Sequence, residues 1–325
     1  MGGRFMNMKK LAELAGVSVA TVSKAFSYSS EISEEKRKYI FEVAKKTGCY
    51  DKYCKQVFNK PVIAVVCPEF ESGYYSQQLY FFEREIKKQG GIMVVSSANF
   101  DNMHKTELVS YFTEILKADG IIIYGYNETE TKYSVPVIVI GESDSFGSVC
   151  LSSVKAMNEA IKTFIHSGRK NIAFIGENLT TAKQSIFVDA MNHNGIKVKD
   201  EYIVKSEKRF QAAGYDAMNT LFEQVNPPDA VIAAYDEIAI GAMRSIYEHG
   251  KRIPEDISII GMDDIRTAPY LNVSLSSITS YNEDFCQIVT DMLFENIKHP
   301  GSHKPRKINV SSELIIRDSI IKKEP

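Results

Sequence analysis

The side chains best able to do chemistry stand where little chemistry could be done. The five cysteines, Cys49, Cys54, Cys67, Cys150 and Cys286, are odd in number, scattered and without a C-x-x-C pair, so neither a disulfide framework nor a zinc knuckle is expected. His299 and His303 have i,i+4 spacing, but Pro300 and Gly301 between them break the helix that a metal pair would need. Asp263 and Asp264 are adjacent, and neighbours on an extended segment face opposite ways. The phosphate-binding loop, the dinucleotide glycine fingerprint, the nucleophile elbow and the H-E-x-x-H zinc motif are all missing. The expectation is a binding protein, with no catalytic centre, metal or cofactor.

Charge says what one end of the chain binds. Residues 1–60 hold 12 Lys/Arg against 6 Asp/Glu, leaving 27 against 35 in the rest. A basic head on an acidic body points to a polyanion met by the head alone. No apolar run is long enough to span a bilayer, and Met1–Met8 lacks the apolar stretch of a secretory signal. A cytoplasmic protein without membrane contact is expected.

The elements of the head follow from spacing. From Met8, MKKLAELAGVSVATVSKAF places Leu11, Leu14 and Ala15, then Val17, Val22 and Phe26, at helical intervals. Gly16 suits a turn because it tolerates positive φ, and Ser18 is a natural N-cap for the second of two short helices. A third helix starts after Ser33, buries Ile40, Phe41, Val43 and Ala44, and ends at Gly48. This is the punctuation of a helix-turn-helix, whose second helix enters the major groove by its N-terminal end.

The contiguous text LAELAGVSVATVSKAFS, then ISEEKRKYIFEVAKKTGCY, resembles the head of LacI/GalR-family transcriptional regulators. The resemblance implies that Val19 and Ala20 read base edges, that Ser18, Thr21 and Ser23 hold phosphates or cap the helix, and that Lys24 stands where the family usually has Arg. Val19 and Ala20 can offer apolar contact to a thymine methyl, and Lys24 can donate to guanine without the bidentate fork of Arg. The linker, DKYCKQVFNK from Asp51, lacks the family's usual proline and its Ala-x-x-Leu. Lys52 and Lys55 could still serve phosphates and Val57 or Phe58 could wedge a base step; a plain tether is the alternative.

From Val62 onward short β-branched strands alternate with amphipathic helices: IAVV, a helix near Tyr75–Lys88, IMVVSS, a helix His104–Lys117, IIIY and VIVIG. After a helix near Lys155–Ser167 the rhythm restarts with IAFIG and runs through YIVK, AVIAA and ISIIG. Two doubly wound parallel-sheet lobes with a cleft between them are expected, with a ligand outside the carboxyl ends of the strands. GAMRSIYEHGKRIPEDISIIGMDD extends the resemblance over the whole chain and implies a periplasmic-binding-protein-like body. The expected divisions are residues 1–49 (head), 50–60 (hinge or linker) and 61–325 (body). Within the body, lobe 1 takes about 61–168 and 281–305, and lobe 2 about 169–280 and 306–325, with the strands near Lys307–Val310 and Leu314–Arg317 closing lobe 2.

The same resemblance supplies the effector site. Asp263 aligns with a carboxylate that accepts from sugar hydroxyls, Lys183 falls near an effector-binding Arg with Phe187 after it as a stacking residue, and Tyr235 replaces an Asn. Tyr74 and Tyr75 match aromatics at the cleft mouth, as stacking on pyranose rings requires. A charged Lys183 leaves room for an anionic ligand. Asp236 reads as a helix N-cap. The chain is therefore read as a homodimeric, DNA-binding repressor of a pseudo-palindromic double-stranded operator, controlled by a small molecule, a sugar or sugar derivative. A solute-binding protein with no DNA role is the alternative.

Overall fold

The computed structural model describes residues 7–57, 60–125, 133–280, 282–301 and 305–321. Phe58, named above as a wedge, lies outside them, as do the side chains of Lys55 and Val57. The chain divides into two compact units, Met1–Pro61 and Val62–Pro325.

The first unit is built from α1 (Met8–Leu14), α2 (Val19–Phe26), α3 (Glu34–Lys46) and α4 (Tyr50–Val57). Each of the first three is started by a side chain that takes an orphan backbone N–H: Asn7, Ser18 and Ser33. Gly16 turns the chain between α1 and α2 at φ 64°. Leu11, Val22, Ala25, Phe26, Ile40 and Ala44 are fully buried. Leu14, expected in this core, is instead exposed; it shares the helical period but falls on the rim of the apolar face.

The segment expected as a hinge or tether is helical, and its first turn belongs to the head core. Tyr53 is 2% exposed, and the Phe26 ring meets Tyr50 at 5.9 Å and Tyr53 at 5.6 Å. Residues 50–57 contain no proline to interrupt the helix.

Among the described residues, the second unit holds two six-stranded sheets. Strands β1 (Val62–Cys67), β2 (Ile92–Ser97), β3 (Gly120–Tyr124), β4 (Val137–Ile140), β5 (Gly147–Ser152) and β11 (Lys307–Ser311) form an all-parallel sheet in the order β2-β1-β3-β4-β5-β11. Strands β6 (Ile172–Glu177), β7 (Ile203–Ser206), β8 (Ala230–Ala233), β9 (Ser258–Asp263), β10 (Ser276–Thr279) and β12 (Leu314–Ile315) repeat it as β7-β6-β8-β9-β10-β12, the last strand antiparallel. Helices α5 (Gly73–Lys88), α6 (Asn102–Ser110) and α11 (Asn282–Lys298) pack on the first sheet. Helices α7 (Val154–His166), α8 (Thr181–His193), α9 (Phe210–Phe222) and α10 (Asp236–Glu248) pack on the second.

Three details differ from the sequence reading. Lys307–Ser311 pairs with Gly147–Ser152 in the first sheet and does not close the second lobe; strand periodicity carries no information about which sheet edge is vacant. Helix α7 buries Met157, Ile161 and Phe164 in the second lobe's core, so the first lobe does not extend to residue 168. The expected single helix to Lys117 ends at Ser110 and continues as a π-turn, Tyr111–Ile115. The chain thus passes between lobes after β5, after β10 and after β11.

Candidate functional site

On the head, Ser18 Oγ accepts the Thr21 backbone N–H at 3.0 Å and shares a hydrogen bond with the Thr21 hydroxyl at 2.8 Å. That bond fixes the first turn of α2 and leaves Ser18, Val19, Ala20 and Ser23 exposed, with Thr21 and Lys24 half-buried. Val19 is 44% exposed on a helix whose opposite face buries Val22, Ala25 and Phe26. Lys24 Nζ pairs with Glu31 across solvent, and Lys52 is exposed on α4.

On the body, a cavity of about 390 Å³ opens between the two lobes at the carboxyl ends of their strands. The first lobe contributes Glu69, Tyr74, Tyr75 and Phe100; the second contributes Glu177, Lys183, Arg209, Phe210, Tyr235 and Asp263. Tyr74 and Tyr75 sit in the first turn of α5, capped by Ser72, their rings 5.0 Å apart. Burial pushes the Tyr74 phenol well above its ordinary range.

Asp263 is the last residue of β9, at φ 95°, followed by Asp264 at φ 51°. Two consecutive non-glycine residues in that region need an external restraint. Asp236 supplies it. Fully buried, it accepts the Ile265 backbone N–H at 2.8 Å and the Ser277 hydroxyl at 2.7 Å. Tyr235, not Asp236, is the N-cap residue of α10. A Cβ on Gly261 would lie 2.1 Å from Asp236 Oδ1, so only glycine lets the carboxylate lie against β9. Burial raises the Asp236 carboxyl well above the usual carboxylate range.

Both cations of the cleft are engaged. Lys183 Nζ donates to the Ala234 carbonyl at 2.8 Å and to the two Asp263 oxygens at 3.2 and 3.3 Å. Arg209 donates through both terminal nitrogens to Glu69 and through Nε to Glu177, and the Glu69 hydrogen bond raises the guanidinium above its ordinary value. The Tyr235 hydroxyl donates to Glu177; burial first, and then that carboxylate, push the phenol up. The Arg209–Glu69 pair joins the lobes, as does the Gly73 N–H donated to Glu237 Oε1 at 2.7 Å.

Residues 7–50 match the model of bacterial regulatory proteins of the lacI family, and residues 161–320 match a periplasmic binding protein-like domain. The chain is 27% identical over 332 residues to the probable HTH-type transcriptional repressor ExuR of Bacillus subtilis (strain 168), with 97% of this chain and 98% of that one covered. The HTH-type transcriptional regulator AscG of Escherichia coli (strain K12) is 26% identical over 334 residues, with 97% and 98% covered. The lac repressor dimer bound to operator and an anti-inducer superposes with a TM-score of 0.73 at 20% identity, covering 98% of this chain and 100% of that one. The chain belongs to the lacI family of bacterial regulatory proteins.

As a lacI-family member it is a helix-turn-helix transcriptional regulator with a periplasmic-binding-like body. The cleft of this regulator brings together Tyr74, Tyr75, Lys183, Tyr235 and Asp263. It does not include Phe187, which is fully buried against Phe174 with ring centroids 5.4 Å apart. One helical turn beyond Lys183, Phe187 points into the sheet, and Phe210 and Phe100 are the phenylalanines at the cavity. Lys183 is not the uncompensated cation that sequence suggested, because Asp263 neutralises it. Sequence reasoning also missed Glu69, Glu177 and Arg209. Arg209 and Glu69 are 140 positions apart, so no spacing could have joined them.

Proposed function

We propose that this regulator is a cytoplasmic, homodimeric repressor that reads a pseudo-palindromic DNA operator with α2 and is controlled by a sugar or sugar-like effector held in the interlobe cleft. Val19 and Ala20 meet base edges, Lys24 donates to a base, and Ser18, Thr21 and Ser23 hold phosphates, with Lys52 adding a backbone contact. Two heads reach successive major-groove half-sites about 34 Å apart. In the cleft, Tyr74, Tyr75 and Tyr235 supply faces for a sugar ring, and Asp263 accepts from its hydroxyls. Effector-driven movement of the lobes is coupled to DNA affinity by about 1–3 kcal/mol.

The observation that carries this reading is an apolar residue, Val19, held in water at the capped start of a helix whose other face is core. The test is selection of duplexes from genomic DNA by the full-length protein, followed by footprinting with and without candidate sugars. The expected result is protection of two symmetric half-sites, changed by one class of sugar. Deleting residues 1–60 should abolish protection and keep sugar binding. A protein that binds sugar but selects no sequence would reject this proposal and favour a solute binder.

A further inference from the structure

The cleft's electrostatics narrow what its occupant can be, given the proposal above that an effector binds there. Among the described residues, five formally charged side chains line the cavity: Glu69, Glu177 and Asp263 against Lys183 and Arg209. The carboxylates outnumber the cations by one.

Neither cation has charge to spare. The Lys183 ammonium has three donors, and three acceptors meet them: the Ala234 carbonyl and both oxygens of Asp263. The Arg209 guanidinium is bounded in its plane by Glu69 and Glu177. The Phe210 ring lies 4.4 Å from its central carbon and the Phe100 ring 5.6 Å. Carboxylates at its edge and rings at its faces leave little of it for a ligand. The remaining polar lining consists of carboxylate oxygens and hydroxyls, among them Ser153, Ser312 and Ser280, the last already donating to Asp263 Oδ1 at 3.3 Å. The hydroxyls can donate or accept, and the excess carboxylate charge repels anions.

We infer that the Glu69–Arg209 pair sets the charge selectivity of this cleft, neutralising its strongest cation so that the site takes an uncharged polyhydroxylated ring and excludes the corresponding uronate or sugar phosphate. Arg209 is held in this role by Glu69 from the facing lobe, so closure of the cleft and loss of the free positive charge are the same event. An anion seated within about 5 Å of the excess carboxylate meets like charge in a poorly solvated space, which weakens its binding by on the order of 100-fold relative to the uncharged parent.

The experiment is calorimetric titration of the full-length protein with hexoses, pentoses and disaccharides, each beside its uronate and its phosphate ester. It is run on wild type and on Glu69→Gln, with a melting curve of each protein to establish that it is folded. Wild type should bind an uncharged sugar and bind each anionic counterpart at least about 100-fold more weakly. Glu69→Gln, which frees Arg209 from its paired charge, should narrow that gap at least ten-fold. A uronate or phosphate ester that binds wild type as tightly as its parent overturns the inference and leaves the cleft proposal standing. Should Glu69→Gln fail to fold, the wild-type pairs decide alone. Absence of binding by any sugar, charged or not, overturns the cleft proposal and this inference with it.

Discussion

Replacing Asp236 with alanine removes a buried carboxylate that braces the Asp263–Asp264 turn without lining the cavity. The side chain is fully buried and serves two donors, the Ile265 N–H at 2.8 Å and the Ser277 hydroxyl at 2.7 Å. Each donor left without an acceptor costs about 1–3 kcal/mol. Relief of the burial penalty on the carboxylate offsets part of this, leaving a net loss of about 2–4 kcal/mol. For a body of this size that is a fall in melting temperature of roughly 4–16 °C. Because Ser277, which accepts the Asp264 N–H, loses its own acceptor, the Asp263–Asp264 turn at positive φ is held less firmly and effector affinity should fall as well.

Asp236→Asn separates charge from hydrogen bonding: its carbonyl can still accept from Ile265 while its amide turns to the Ser277 oxygen. The pH dependence has a definite sign. Burial raises the folded-state pKa of Asp236 above its unfolded value, so its contribution is fully present below the unfolded value and is lost as pH rises through the folded one. Wild type should therefore lose stability relative to Asp236→Asn between acid and neutral pH. Urea unfolding of both variants at several pH values from 4 to 8 measures this. An alanine variant within about 1 kcal/mol of wild type, or an asparagine variant whose pH profile parallels wild type, would refute the reasoning.

Three further expectations follow from other parts of the molecule. Gly241→Ala would put a methyl group 1.9 Å from the Gln211 carbonyl where α9 and α10 cross, so a loss of at least about 3 kcal/mol is expected; a melting temperature within 2 °C of wild type would contradict that packing. The amides of Tyr53–Val57 should be protected from hydrogen exchange in DNA-free protein, and Tyr53→Ala should cost the head about 3–5 kcal/mol; exchange at the rate of an open chain would show that α4 is not part of the free head. Lys24→Ala should weaken binding to a selected duplex by about 1–3 kcal/mol. Glu31→Gln, which releases Lys24 from an exposed pair, should tighten it by up to about five-fold; equal affinity of all three proteins would remove Lys24 from the interface.

Much of this was legible in the residues because it depends on local chemistry. Ser18 and Ser33 cap helices wherever a helix follows them, Gly16 and Gly48 mark turns at positive φ, and β-branched runs separated by helical periods specify a parallel sheet whichever lobe they join. The contiguous head sequence, read with these signals, was enough to identify the family. What the sequence could not determine were relations between residues far apart in the chain. Lys307–Ser311 is a strand by its own composition, yet its place beside β5 depends on which sheet edge the fold leaves open. Phe187 and Phe210 are equally aromatic, and only packing sends one into the core and the other to the cavity. Lys183 reads as a free cation until folding brings Asp263 to it, 80 positions away. Charge pairing and burial are properties of neighbours in space, and a linear text records neighbours only along the chain.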